Sequence, residues 1–397
     1  MNDPSSSGLS LTLFRGPYQS NGATPWYAQI GIGTPPQILK IALDTGSNFN
    51  WVSSGVSPVA DRQHYGGLAF NSEYSSTFKL QQPDHPDVDF GPWGTMSVEQ
   101  GADRMSFPVV ASVDASAITT LDSELYLSKK YSGNQFQELN WDGGLGLPSY
   151  SSLPSSPSHQ PIAYRGIHRS REDQSFHFVE SLLEAGIMDP SHLWIAFETD
   201  AATNQGTVSF GQLDPRYCES HEYLFLPWQK SSVESLYYVW TSEFQSMTVG
   251  QELICASDSA HPYYLCLDSG SSLFKGDPTV MQKLLEETTR TGDVLTIDLG
   301  PDDKGLPQQL AIPSDVYQVT IEAGDHIGET FPQFQPMQGL EQIALVGSVL
   351  MDHLYTVYQY QMGANGAIEP KGIWLFNKLG GVPIIQTQQP TSAAIFS

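Results

Sequence analysis

Two copies of one short pattern decide how this chain folds: Leu43-Asp44-Thr45-Gly46-Ser47 and Leu267-Asp268-Ser269-Gly270-Ser271-Ser272. A largely apolar run precedes each copy, at residues 38–43 and 263–267. An apolar run that ends in small turn residues predicts a strand followed by a tight turn. The copies are roughly 220 residues apart, about the length of one compact domain. The two aspartates can therefore meet only if two lobes face each other across a cleft.

Two carboxylates held side by side have a distinct chemistry. They cannot both ionise cheaply, so the pair holds one shared proton over a wide acidic range. One member can then act as a base while the other acts as an acid. The neighbours suit this role, because glycines permit a tight turn and hydroxyl groups can orient a carboxylate. These candidate orienting residues are Thr45, Gly46, Ser47, Ser269, Gly270 and Ser271.

The same pattern can also be interpreted as a purely structural turn. A single Asp-Ser/Thr-Gly turn is common in β-rich proteins and carries no function by itself. Two copies in matched apolar contexts favour catalysis instead. Asp44 and Asp268 are therefore the predicted catalytic residues.

Further motifs give the chain a family resemblance. Residues 27–37 read Tyr-Ala-Gln-Ile-Gly-Ile-Gly-Thr-Pro-Pro-Gln, Trp51 follows Asp44, and residues 141–147 and 344–348 are apolar runs that contain glycine. In this order the motifs resemble the pepsin-like aspartic proteases, in particular the fungal-type secreted aspartyl peptidases. The resemblance extends over nearly the whole length of the chain.

The resemblance implies a mostly β, bilobal pepsin-like fold with few short helices. Two pseudo-symmetric, β-barrel-like lobes would enclose a cleft, with residues 1–220 forming the N-terminal lobe and residues 221–397 the C-terminal lobe. A length of 397 residues with 35 Gly and 27 Pro suits a large protein that has many turns. The clearest helical stretch is residues 279–287, introduced by Asp277-Pro278 as cap and first turn.

The resemblance also implies a flap, a hairpin that closes over the substrate, at residues 88–97. Phe90 falls at or beside the position where the family carries a tyrosine, so the hydroxyl expected to bond toward Trp51 is missing. Trp93 could supply an N–H donor in its place. The expected flap and substrate-binding residues are Phe90, Gly91, Trp93, Trp51 and Leu145.

The function implied by the resemblance is that of an aspartic-type endopeptidase, with a water activated between Asp44 and Asp268. We expect activity at acidic pH and a preference for large apolar residues. Ser348 and Gln359 stand where the family usually has acidic residues, which changes the charge near the aspartates. The alternative is a pepsin-like scaffold with weak or no proteolysis, used to bind a ligand or to act on an apolar substrate.

Charge and composition limit the partners. The chain has 18 Lys and Arg against 43 Asp and Glu, a formal net charge of −25. So acidic a surface repels nucleic acid and anionic membranes, and we expect neither as a partner. We expect an extended polypeptide substrate, a monomeric protein, no metal and no cofactor, because the cysteines and histidines lack metal-ligand spacing.

The cysteines and the asparagines bear on location. Cys255 and Cys266 stand where many pepsin-like chains have a small disulfide loop, so the resemblance implies a disulfide and an oxidising compartment. We therefore expect a secreted or vacuolar protein. The chain has neither a visible signal peptide nor an Asn-x-Ser/Thr glycosylation site, which leaves a cytosolic location open.

Overall fold

The fold is seen in a computed structural model of the chain. The residues it describes are 8–55, 67–90, 94–108, 118–132, 136, 139–150, 177–231, 233, 236–302, 304–364 and 366–396. Among these residues, no helix is both long enough and apolar enough to cross a membrane.

Strands dominate the described residues. The strands of the N-terminal half are β1 (Leu9–Arg15), β2 (Trp26–Ile32), β3 (Gln37–Asp44), β4 (Asn50–Ser53), β5 (Lys79–Asp89), β6 (Thr95–Pro108), β7 (Ile118–Tyr131), β8 (Gly143–Gly146), β9 (Trp194–Asp200) and β10 (Gln205–Phe210). Those of the C-terminal half are β11 (Tyr223–Pro227), β12 (Thr241–Phe244), β13 (Ser246–Val249), β14 (Glu252–Ala256), β15 (Tyr263–Leu267), β16 (Phe274–Gly276), β17 (Leu295–Pro301), β18 (Pro307–Ile312), β19 (Gln318–Thr320), β20 (Thr330–Pro332), β21 (Phe334–Pro336), β22 (Ile343–Val346), β23 (Leu354–Met362) and β24 (Ile368–Asn377).

The strands pair into a bilobal, mostly β architecture, which confirms the expected fold class. In the N-terminal lobe, strands β2, β3, β8, β4, β7 and β6 pair in that order, and β6 pairs again with β2 to close a barrel. The C-terminal lobe has a five-stranded sheet, β12-β15-β22-β16-β21, and a four-stranded sheet, β14-β13-β17-β18. Strands β9 and β23 pair with each other, so one continuous sheet runs between the two lobes. The lobe boundary at residues 220 and 221 lies between β10 and β11 and stays a prediction.

The two lobes repeat the local arrangement that carries each aspartate. Strand β3 lies parallel to β8, which is antiparallel to β4. Strand β15 likewise lies parallel to β22, which is antiparallel to β16. The crossing strands approach their neighbours closely, and a Cβ on Gly143 would lie 2.2 Å from the carbonyl oxygen of Trp51. Glycine is therefore required at this crossing.

The helices in the described part of the chain are short and few. They are α1 (Phe178–Glu184), α2 (Pro278–Thr291), α3 (Ser314–Tyr317) and α4 (Ser348–Met351), with 3-10 turns at Ser72–Tyr74, Pro215–Tyr217 and Ala394–Phe396. Helix α2 confirms the sequence prediction, because the Asp277 side chain accepts hydrogen bonds from the N–H groups of Thr279 and Val280. It ends at Thr291, and the next residue, Gly292, has a φ of 68°, in the left-handed region that favours glycine.

Candidate active site

The two aspartates meet at the junction of the lobes. Asp44 is the last residue of β3, and Asp268 directly follows β15. Each turn glycine lies against the carboxyl group of the opposite lobe. A Cβ on Gly46 would stand 2.6 Å from Cγ of Asp268, and one on Gly270 would stand 2.2 Å from Oδ1 of Asp44. The arrangement therefore brings together the two carboxyl groups that the sequence places roughly 220 residues apart.

Reciprocal hydrogen bonds hold the two turns together. The backbone N–H of Thr45 donates to Oγ of Ser269 at 3.1 Å, and the N–H of Ser269 donates to Oγ1 of Thr45 at 2.9 Å. Each hydroxyl also donates to a carbonyl of the opposite lobe, Thr45 to Leu267 at 3.1 Å and Ser269 to Leu43 at 2.5 Å. All of these groups are buried, so the network fixes the distance between the aspartates.

Replacing Thr45 by valine tests this network. The isosteric change leaves the Ser269 N–H without its partner in a buried site, and it removes one of the two hydrogen bonds to the Leu267 carbonyl, which also accepts the Tyr358 hydroxyl. We expect the free energy of unfolding to fall by about 1–3 kcal/mol, measured by urea denaturation. Thr207→Val, at an exposed position of β10, is the matched control and should leave stability close to that of wild type. Equal stability of the two variants would show that the network does not hold the lobes.

The hydrogen bonds on the two carboxyl groups are unequal. Each Oδ1 accepts the N–H of the turn glycine, Gly46 to Asp44 at 2.8 Å and Gly270 to Asp268 at 2.9 Å. Asp268 also accepts the Ser271 hydroxyl on Oδ2 at 2.6 Å. The matching hydroxyl of Ser47 is buried and has no hydrogen-bond partner among the described residues. Asp268 therefore has one strong hydrogen bond more than Asp44.

The environment of Asp44 favours its protonated form. Burial, and next the negative charge of Asp268, hold the pKa of the Asp44 carboxyl well above its ordinary value. The Gly46 N–H acts against this rise, as does the Ser47 hydroxyl, which lies beside Asp44 but falls short of good hydrogen-bond geometry. A carboxyl group with so high a pKa stays protonated over a wide range of pH. The pair is thus suited to hold one shared proton.

Sequence reasoning missed Lys275, a buried lysine beside the aspartates. It lies on β16, is 2% exposed and lines the same cleft as Asp44 and Asp268. Its Nζ donates to the carbonyl of Gly22 at 2.6 Å and to the Ser271 hydroxyl at 3.2 Å. The available signal was a lone basic residue in the buried run that follows the second aspartate turn. In a chain this acidic, a lone lysine so close to an aspartate turn is a candidate site residue.

The cleft between the lobes is apolar around the aspartates. Its volume is about 360 Å³. Phe90, which directly follows the first flap strand β5, packs edge-on against Phe49 and Phe136, with ring centres 5.1 and 4.8 Å from its own. Trp51 lies behind them against Trp141. The apolar lining residues are Phe49, Trp51, Phe90, Phe136, Leu139, Trp141, Leu236, Tyr238, Val239, Leu340, Ile343 and Leu345.

One expected cleft residue does not line the cleft, and two others lie outside the described residues. Leu145 does not line the cleft; it is completely buried in the main hydrophobic core. Strand β8 pairs Leu145 with Leu43 of β3, and both side chains belong to that core cluster. Trp51 and Phe90 line the cleft, and their role in binding substrate stays a prediction. Gly91 and Trp93, at the tip of the expected flap, lie outside the described residues.

The expected disulfide between Cys255 and Cys266 is not formed. Both side chains are free thiols, and both are buried. Cys255 lies on β14 in the four-stranded sheet, whereas Cys266 lies on β15 in the five-stranded sheet and lines the cleft. The two thiols therefore belong to different sheets of the lobe. Burial raises the pKa of each thiol, which keeps both protonated.

The two departures from the family pattern lie in different places. Ser348 is buried and lines a small cavity of about 20 Å³ below the aspartate turns, together with Ser269 and Asp352. Burial raises the pKa of Asp352, which accepts the Thr199 hydroxyl at 2.7 Å. Gln359 instead accepts the indole N–H of Trp374 at 2.9 Å, in the sheet between the lobes. A carboxyl group is thus present near Ser269 although position 348 is serine.

Comparison with known proteins complements this geometry. A sequence model described as "Eukaryotic aspartyl protease" matches residues 25–366. Aspartic protease 3 of Toxoplasma gondii is 26% identical over 65% of this chain and 35% of its own length. Pepsin A of Bos taurus is 27% identical over 68% of this chain and 61% of its own length. Pepsin II-1 of Oryctolagus cuniculus is 28% identical over 84% of this chain and 78% of its own length.

These matches identify a family but not a subgroup. The chain spans less than two thirds of the length of the first two relatives. The relatives come from different groups of organisms, so the fungal-type part of the resemblance stays a prediction. The family match, in contrast, includes both aspartate turns, the crossing strands and the flap hairpin of β5 and β6. Because it extends over residues 25–366, the chain belongs to the family of eukaryotic aspartyl proteases.

Proposed function

We propose that the protein is an aspartic-type endopeptidase that hydrolyses peptide bonds with a water activated between Asp44 and Asp268. One observation carries this proposal: two carboxyl groups from matched turns face each other at the base of an apolar cleft, each against the opposite glycine. A static scaffold for ligand binding does not need such a pair. Keeping two carboxyl groups buried together costs free energy. Catalysis that uses the shared proton explains why the fold keeps them.

The chemistry follows from the shared proton. The ionised aspartate removes a proton from the water as the water attacks the scissile carbonyl carbon. The protonated aspartate donates a hydrogen bond to the carbonyl oxygen as negative charge develops there. The proton taken from the water then passes to the leaving amine. The carbon–nitrogen bond breaks without a covalent enzyme intermediate. Thr45 and Ser269 hold the two turns in register, while the glycine N–H groups and the Ser271 hydroxyl orient the carboxyl groups.

The cleft supports an extended polypeptide substrate with large apolar residues beside the scissile bond. The aromatic side chains of Phe49, Phe90 and Phe136 form a continuous apolar wall. Burial of a large apolar side chain against such a wall is worth about 1.5–3 kcal/mol. We therefore expect a peptide with Phe on both sides of the scissile bond to be cleaved roughly 10-fold or more faster, in kcat/KM, than its Ala counterpart. Equal rates for the two peptides would rule out the apolar preference.

The decisive experiment is cleavage of a denatured protein from about pH 3 to pH 7, with and without a statine-type inhibitor that mimics the tetrahedral intermediate. We expect cleavage that is fastest at acidic pH and that the inhibitor abolishes. Inhibitor-resistant cleavage would point to a contaminating protease. A folded sample that binds the inhibitor yet cleaves nothing would favour the alternative, a scaffold without proteolysis.

We also propose a monomeric protein in a secreted or vacuolar location, where an acidic compartment would suit the chemistry. Both aspartates belong to one chain, so no second copy is needed to complete the site. The free thiols of Cys255 and Cys266 remove the disulfide as an argument for an oxidising compartment. The proposed location therefore rests on family membership alone. Light scattering after gel filtration tests the monomer, and fractionation of the producing cells and their medium tests the location.

A further inference from the structure

The surroundings of Lys275 set the two aspartates apart. The lysine stands on β16 of the C-terminal lobe, and its Nζ donates to the carbonyl of Gly22 in the N-terminal lobe. The chain closes tightly over it, since Gly22 has a φ of 83° and a Cβ there would stand 2.9 Å from Nζ. The ammonium group is thus held in place by both lobes, next to the Asp268 turn and away from bulk water.

The hydrogen-bond directions form a chain from Lys275 to Asp268. A charged lysine can only donate, so Oγ of Ser271 must accept from Nζ at 3.2 Å. The single proton of that hydroxyl is then directed to Oδ2 of Asp268 at 2.6 Å. Oδ1 of Asp268 accepts the N–H of Gly270. Both oxygens of Asp268 are therefore acceptors, which favours the carboxylate form.

Among the residues that the structure describes, Asp44 has no equivalent chain. It accepts the N–H of Gly46, and the hydroxyl of Ser47 forms no hydrogen bond with it. We propose that Lys275 is a positioning residue of the pair, which acts through the Ser271 hydroxyl to hold Asp268 as the ionised carboxylate and leave the shared proton on Asp44. This inference rests on the proposed function, within which it makes Asp268 the base and Asp44 the acid.

The charges that act most on Lys275 are those of the aspartate pair. Burial lowers the pKa of Lys275 to about 8, and the opposite charges of Asp268 and next Asp44 act against this fall. The ammonium group is therefore charged throughout the acidic range. Strands β21 and β22, which flank β16, have no titratable side chain, and the Lys283 and Arg290 charges of helix α2 are paired at the surface with Glu252 and Glu287. Near the aspartates, burial raises the pKa of Tyr18, Tyr238, Tyr358 and Cys266, which stay neutral, and it also raises the pKa of Asp352 below the aspartate turns.

The sign of the effect on the pair follows from its charge. Two hydrogen bonds in series place Nζ within about 6 Å of the Asp268 carboxylate, a distance at which an opposite charge lowers a carboxyl pKa by roughly one unit or more. Removal of the positive charge should therefore raise both apparent pKa values of the pair. In the pH profile of kcat/KM, the acidic and the alkaline limb should both move to higher pH by about one unit.

The test uses two substitutions of Lys275 in the full chain. Lys275→Met removes the charge and the hydrogen bonds, and Lys275→Gln removes the charge but keeps an N–H donor for Gly22. We expect both to move the profile upward by about one pH unit. Lys40→Met is the matched control: it lies on β3, the strand of Asp44, but its ammonium group stands over the ring of Tyr27. The control changes the net charge equally and should leave the profile in place.

A Ser271→Ala background tests the route. If Lys275 acts through the hydroxyl, Lys275→Met should move the profile clearly less in this background than in wild type. An undiminished shift would mean that the charge acts directly through space, which would overturn the role of Ser271. An unchanged profile in both Lys275 variants would overturn the proposal as a whole.

A titration that needs no activity separates this inference from the proposed function. The two carboxyl groups can be followed by carbon NMR of aspartate-labelled protein, with Asp44→Asn and Asp268→Asn to assign them. A wild-type protein that cleaves nothing would defeat the proposed function, while a shift of the carboxyl titration in Lys275→Met would still support the lysine's role. Absence of that shift in a protein that cleaves peptides would defeat the lysine's role alone.

Discussion

Replacing either aspartate by asparagine should abolish peptide cleavage while leaving the fold intact. The amide has nearly the same shape as the carboxyl group and can still accept the N–H bonds of Gly46 or Gly270. It cannot hold the shared proton or take one from water. We expect kcat/KM to fall by at least about 10³-fold for Asp44→Asn and for Asp268→Asn alike, because each removes one half of an acid–base pair. The measurement is cleavage of a peptide substrate across the acidic range.

The control for these variants is Asp258→Asn. Asp258 is an exposed aspartate in the turn between β14 and β15, where its Oδ1 accepts the N–H groups of Ala260 and His261. Asparagine keeps that oxygen, so the variant should cleave at the wild-type rate. Circular dichroism and inhibitor binding would show whether the catalytic variants are folded. A folded Asp44→Asn or Asp268→Asn protein that still cleaves the peptide would exclude the pair as the catalytic centre.

Stability should respond to Asp44→Asn in the opposite direction from activity. The raised pKa of Asp44 means that the folded protein binds a proton more tightly than the unfolded chain does. Stability of the wild type therefore falls as pH rises from the ordinary carboxyl pKa, near 4, toward the raised value. Asparagine does not ionise and escapes this loss. We expect the melting temperature of Asp44→Asn, relative to wild type, to be higher at pH 7 than at pH 3. The same difference at both pH values would contradict the raised pKa.

The sequence was sufficient to predict the features that local chemistry determines. The two aspartate turns follow from apolar runs that end in small residues, and helix α2 follows from its aspartate cap and first-turn proline. The choice of Thr45 and Ser269 as orienting residues follows from the repeat itself. These features depend on neighbours along the chain or on a symmetry that the repeated motif makes visible.

Features set by contacts between distant segments were not predictable from the sequence. Leu145 lies on a strand buried on both faces, so no alternation of polar and apolar residues shows that it faces the core. The role of Lys275 depends on Gly22, which lies in the other lobe. The positions of Cys255 and Cys266 depend on which sheet each strand joins. In each case the deciding partner lies outside the local sequence window.

Gly270→Ala should inactivate the enzyme without removing any catalytic group. An added Cβ would stand 2.2 Å from Oδ1 of Asp44 and 2.4 Å from its Cγ, far inside van der Waals contact. The Asp44 carboxyl group is fixed by the Gly46 N–H, so relief requires moving it or separating the two turns. A displacement of about 1 Å at a reacting group costs roughly 10²-fold in rate. We expect kcat/KM to fall by at least that factor, with stability lowered by about 1–3 kcal/mol from overpacking.

Gly46→Ala is a second test of this close approach, and Gly55→Ala is its matched control. A Cβ on Gly46 would stand 2.6 Å from Cγ of Asp268, so its loss of activity should match that of Gly270→Ala. Gly55 is exposed, and a Cβ there would meet nothing closer than 3.6 Å, so that variant should keep full activity and stability. Cleavage by Gly270→Ala at the wild-type rate would mean that the Asp268 turn does not press against Asp44. The glycine in each turn is therefore needed chiefly because it lets two lobes bring their carboxyl groups within reach of one proton.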